Sequence, residues 1–141
     1  MPAKQLLDLC LRLVKFKKEN KELLTYLIFE AQDENAYVAG VKQLLEELFA
    51  EVNTKNLYIA KKNLRKIIRM ANRYIKYSNA AATEVELLIY VCQEIKKLPI
   101  NLDRSTALKN IYLALLKKIR KAIEGMHEDL QYDYLRELEA L

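Results

Sequence analysis

The chain has 141 residues, 52% of them hydrophobic and 30% charged, and a formal net charge of +5. Its two glycines and two prolines fall far below the roughly 12% these residues reach in average proteins, and they are the residues that build the tight turns of all-β and doubly wound α/β folds. Twenty-five leucines against six valines favour helix over strand, which leaves an all-α chain of ordinary single-domain length.

In chain order, a first helix is expected from about Pro2 to Lys18, with the proline in its first turn, where a missing N–H does no harm. Asn20 is placed to cap a second, carrying Leu23, Leu24, Leu27, Ile28 and Ala31. Asp33 and Asn35 mark a third start, followed by Val38, Val41, Leu44, Leu45, Leu48 and Val52. Gly40 is the flaw in that helix, costing up to about 1 kcal/mol relative to alanine and pointing to close packing. Asn53 and Thr54 open the fourth, whose Leu57, Ala60, Leu64, Ile67, Ile68, Ala71 and Ile75 form one stripe at helical spacing. Thr83-Glu84-Val85-Glu86 reads as a capping box for the fifth, which ends before Pro99. Asp103 or Ser105 starts the sixth, with Leu108, Ile111, Leu115, Ile119 and Ala122 along its seam and Gly125 at its end. A seventh, from about Glu128, is expected to bury Leu130, Tyr134, Leu138 and Leu141.

Seven amphipathic helices on short loops fit a single domain over 1–141, packed as antiparallel hairpins in an α-solenoid-like stack or, as the alternative, an irregular helical bundle. A faint internal duplication, about 20–77 against 84–126, favours the stack. Glu22-Leu23-Leu24-Thr25-Tyr26 matches Glu86-Leu87-Leu88-Ile89-Tyr90, and Lys55-Asn56-Leu57-Tyr58 matches Lys109-Asn110-Ile111-Tyr112. Only the pattern resembles HEAT-like or tetratricopeptide arrays, since no named repeat consensus is met.

Charge alternates in blocks along the chain: +4 over 1–18, −6 over 19–51, +8 over 52–83, −2 over 84–103, +6 over 104–123 and −5 over 124–141. On the fourth helix Lys62, Arg65, Lys66, Arg69, Arg73 and Lys76 crowd one face with no acid among them. Like charges at three- and four-residue spacing repel by about 0.2 to 0.5 kcal/mol per pair, so an anionic neighbour is expected. It is either the chain's own acids, at Glu46, Glu47 and Glu51 or at Asp129, Asp133 and Glu137, or an external polyanion. Contact with the chain's own acids leaves no bare cationic surface, whereas a bare stripe favours nucleic acid, with Tyr58 and Tyr77 beside it to stack on bases.

Groups that do chemistry are scarce. One histidine, no tryptophan and no glycine-rich loop exclude the nucleotide-binding fingerprints and any evident triad. Glu124-Gly125-Met126-His127 resembles the Glu-x-x-His step of di-iron bundles, but the second histidine such a site needs is missing. Cys10 and Cys92 both sit in apolar helical patterns and read as buried thiols of a reduced, cytoplasmic protein. No export signal is evident, and the longest apolar run, Leu87 to Cys92, is far short of the roughly 20 residues that span a bilayer. The expectation is a non-enzymatic module without cofactor, metal or small-molecule substrate. It binds another protein or its own copy, with Tyr26 and Phe29 off the main stripe and facing the partner; no membrane contact is expected. The alternative is a nucleic-acid-binding accessory protein that uses the six cations of the fourth helix on phosphates.

Overall fold

The computed structural model describes residues 1–141 and contains seven α-helices and no strand. The chain divides into two compact units, Met1–Tyr37 and Val38–Leu141.

In the first unit, α1 (Ala3–Phe16) and α2 (Lys18–Thr25) are separated by Lys17, whose backbone is extended at φ −137 and ψ 146. Asn20 does not cap α2. It lies within that helix's first turn, and its amide donates to the carbonyl of Leu13, satisfying an orphan acceptor at the end of α1. After α2 the chain makes a π-helical turn, Tyr26–Glu30, closed by the Ala31 N–H donating to the Tyr26 carbonyl at 2.8 Å. The extra residue in this turn slips the helical register, so the apolar stripe does not continue. Leu27, Ile28 and Phe29 face outwards at 55%, 49% and 75% exposure, while Tyr26 turns in and is only 5% exposed. Its hydroxyl donates to Glu34 Oε2 at 2.8 Å and its ring packs 4.6 Å from that of Tyr37. Of the two aromatics expected to face a partner, Tyr26 is therefore a core residue and Phe29 alone is on the surface. Cys10, expected to be buried, is also exposed.

Asp33 begins α3 (Glu34–Ala50) as its spacing suggested, its Oδ1 accepting from the Ala36 N–H at 3.1 Å. Gly40 is not a close-packing position, because a Cβ built there meets nothing within 4 Å and its φ is not positive. Gly40→Ala is accordingly expected to stabilise the protein by about 0.5 to 1 kcal/mol through the lost backbone entropy of the unfolded chain. A higher urea midpoint at unchanged slope is the check.

In the second unit, Asn53 and Asn56 act in relay. The Asn53 Oδ1 accepts from the Lys55 and Asn56 N–H groups, and the Asn56 Oδ1 from those of Tyr58 and Ile59. The helix thus starts three residues later than Thr54, as α4 (Leu57–Ser78), and stops at Asn79 in the left-handed conformation, φ 54. Only Ala80 intervenes before α5 (Ala81–Lys97). This tight junction overrides the capping box: Thr83 is already inside the helix and buried, and Glu86 instead accepts from the Tyr134 hydroxyl at 3.4 Å. A short 3-10 turn, Leu102–Arg104, precedes α6 (Thr106–Glu124), capped by Ser105 Oγ, and α7 (Glu128–Glu139) follows. Gly125 ends α6 with a right-handed φ of −82, so it stops the helix without the left-handed turn that usually calls for glycine.

Helix α5 is the axis of this unit. It packs on α4, α6 and α7, and Val85, Leu87, Leu88, Val91 and Cys92 are all 0% exposed, the all-round burial expected of a central helix. Around it lie Leu64, Ile67 and Ala71 of α4, Leu108, Ile119 and Ile123 of α6, and Leu138 of α7. Leu130, expected in this core, is 48% exposed. The matched sequence segments occupy unlike surroundings. All of α3 lies between Tyr26 and Tyr58, whereas between Tyr90 and Tyr112 only the short 3-10 turn separates α5 from α6, and Tyr58 is exposed whereas Tyr112 is buried.

Candidate functional site

Twenty-two residues of α4 present two opposite faces. Ala60, Leu64, Ile67, Ala71 and Ile75 face the core, and the three- and four-residue spacing that aligns them forces Lys62, Arg65, Lys66, Arg69, Arg73 and Lys76 onto the other side. Ion pairs form elsewhere in the unit, as Lys97–Glu94 at 3.1 Å and Lys109–Asp103 at 3.4 Å. No carboxylate of Val38–Leu141 pairs with Lys62, Arg65, Lys66, Arg69 or Lys76. The internal neutralisation weighed from the charge pattern is therefore absent for these five. Glu46 instead lies near Tyr90, over whose ring the Lys42 ammonium sits at 5.6 Å, and Asp133 and Glu137 lie near Tyr134. Arg73 is half-buried and has contacts of its own.

Between α4 and α6 runs a groove of about 690 Å³. Its floor is aliphatic: Ile68 from α4, and Ile111, Ala114 and Leu115 from α6. Its rim carries Lys62, Arg65 and Arg69 on one side and Lys118 on the other, with the Lys118 ammonium donating to Asn72 Oδ1 at 2.7 Å across the gap. A smaller hollow of about 360 Å³ adjoins it, bounded by Lys66, Arg69, Met70 and Arg73. Tyr58 stands 60% exposed at the start of α4, with the Lys62 ammonium 4.7 Å and the Lys61 ammonium 5.3 Å from its ring centre. Tyr77, the other aromatic expected beside the basic face, is buried.

Five of the six cations read from the sequence thus border one of these two cavities, joined in the larger by Lys118 of α6, and Lys76 lines neither. Sequence reasoning missed Lys118 and the floor. The available signal was the seven-residue step from Ile111 to Lys118, which sets an apolar and a cationic residue on one strip of α6. Ile68, Ile111 and Leu115 were read as core, yet only Leu115 is fully buried.

His127 and Cys92 are committed to structure. His127 is the N-cap of α7, its Nδ1 accepting from the Asp129 N–H at 3.3 Å, and no three His, Cys, Asp or Glu side chains converge into a metal-binding group. The Cys92 thiol is pushed up to about 12 by burial, against a smaller opposing pull from Lys96, and a thiol so rarely ionised is a poor nucleophile. No helix is long and apolar enough to cross a membrane. No family model matches the chain, and neither a curated protein nor a solved structure matches it.

Proposed function

We propose that the chain is a non-enzymatic helical interaction module whose Val38–Leu141 unit holds an acidic, amphipathic helix of a partner protein in the groove between α4 and α6. The observation that carries this reading is the aliphatic floor between two cationic rims. A helix offering leucine or isoleucine at i, i+3, i+4 and i+7 would seat its apolar stripe on Ile68, Ile111, Ala114 and Leu115, the helix-in-groove mode of recognition. Its flanking carboxylates would meet Lys62, Arg65, Arg69 and Lys118, which steers encounter and fixes register. Nucleic acid remains a second reading, supported by the bare cations and by the exposed ring of Tyr58 among lysines. It explains the floor less well, since single-strand binders use aromatic platforms there.

The test is fluorescence anisotropy with three labelled probes: a Glu/Leu helix with that apolar spacing, the same residues in scrambled order, and a short single-stranded RNA. The ordered peptide is expected to bind, the scrambled one to bind weakly, and Arg65→Glu with Lys118→Glu to weaken the first by about tenfold or more. RNA binding that falls steeply with salt, without discrimination between the peptides, would transfer the site to the nucleic-acid reading.

A further inference from the structure

Helix α1 supports a second binding surface, independent of the groove. Its polar residues, Lys4, Gln5, Asp8, Arg12 and Lys15, fall on one side at three- and four-residue spacing, and every other position from Ala3 to Phe16 is apolar. Few of these apolar residues are covered. Leu6 is 55% exposed, Leu7 58%, Leu9 46% and Phe16 79%, and no residue of α1 is fully buried. Only Cys10, Leu13 and Val14 share a hollow with Leu23, Leu24 and Leu27 beyond Lys17, so α1 turns a far broader apolar sector outwards than one neighbouring helix can cover.

We infer that α1 lies in the plane of an anionic lipid surface, its leucines and Phe16 in the acyl boundary and its cations among the headgroups. Charge selects this occupant. Residues 1–18 contain Lys4, Arg12, Lys15, Lys17 and Lys18 against the single acid Asp8. Two copies meeting through α1 would bring Lys4, Arg12 and Lys15 against the same three cations, whereas an anionic bilayer attracts each such cation by about 1 kcal/mol near the surface. A helix with a wide apolar sector, a basic polar side and an aromatic near the boundary between them is built to lie in an interface. The expectation of no membrane contact rested on spanning length, which a helix lying in the interface does not need. Phe16, beside Lys15 and Lys17 at the end of α1, is the anchor.

Because the chain contains no tryptophan, the 141-residue chain carrying Phe16→Trp has a single indole, in α1, that can be excited apart from the tyrosines. With vesicles of phosphatidylglycerol and phosphatidylcholine its emission is expected to shift to the blue, and with phosphatidylcholine alone to stay put. In sedimentation with the anionic vesicles, Leu6→Ser with Leu9→Ser is expected to lower the bound fraction severalfold, because neither residue lines the hollow and charge is unchanged. Arg65→Glu with Lys118→Glu should leave sedimentation largely intact, which separates this site from the groove. The inference is overturned if the emission does not move in the presence of anionic vesicles. It is equally overturned if a blue shift appears without lipid and grows with protein concentration, which would place a second copy on α1, or if only the groove substitutions abolish sedimentation.

Discussion

Replacing Leu88 with alanine is expected to lower the stability of the Val38–Leu141 unit by about 3 kcal/mol. Leu88 is 0% exposed on α5, the helix that packs against α4, α6 and α7. Truncation removes one methine and two methyl carbons from the centre of these contacts and leaves a cavity that three surrounding helices cannot jointly collapse to fill. A loss of this size is a large share of the 5–15 kcal/mol typical of a whole domain, and urea unfolding followed by circular dichroism reads it directly. A loss below about 1 kcal/mol would mean that α5 is not the axis of the unit. Leu113, on α6 and 49% exposed, is the internal comparison: alanine there should cost little.

The second large effect is a dependence of stability on alkaline pH that traces to Cys92. Its thiol ionises near 9.0 without burial and near 12 in the folded protein, chiefly because burial disfavours the thiolate. The sign follows from proton counting. Above pH 9 the unfolded chain has lost this proton and the folded chain retains it, so raising the pH favours unfolding. The stabilisation is complete below pH 9 and is lost progressively until about pH 12. At pH 10.5 the loss amounts to about 2 kcal/mol. Tyr90, Tyr112 and Tyr134, whose hydroxyls are also raised by burial first and nearby groups second, act in the same direction at higher pH. Comparing Cys92→Val with the parent, both in a Cys10→Ser background, isolates the thiol because the tyrosines are common to both. The parent is expected to lose about 2 kcal/mol more than the variant between pH 7 and pH 10.5. Parallel losses would place the Cys92 thiol in contact with water.

The helices were legible from residue patterns because their apolar spacing is regular and some boundaries are marked by side chains that cap: Asp33 and Ser105, both read as starts, accept from backbone N–H groups, whereas the fourth start, read at Asn53 and Thr54, is capped by Asn56. Where the reading failed, a tertiary or backbone effect outweighed the local signal. The Thr83 capping box is a sound local motif, but the left-handed turn at Asn79 begins the helix two residues before it. The stripe through Leu27 and Ile28 broke because a π turn adds a residue that no side-chain pattern announces. The cationic face of α4 was plain from its spacing. The groove was not, since it needs Ile68 and Lys118 to meet across two helices that are not neighbours in sequence. Charge blocks likewise gave the sign of each segment but not which segments touch, and here the acids of α3 and α7 lie beside tyrosines instead of the bare cations of α4.

Methyl-labelled protein titrated with the ordered Glu/Leu peptide decides whether an acidic amphipathic helix seats in the groove between α4 and α6. With a helix seated there, the methyl resonances of Ile68, Ile111, Ala114 and Leu115 move progressively to saturation while those of Val85 and Val91, enclosed within α5, hold still. Saturable shifts confined to other surfaces, or none at peptide concentrations where anisotropy reports binding, would contradict that seating.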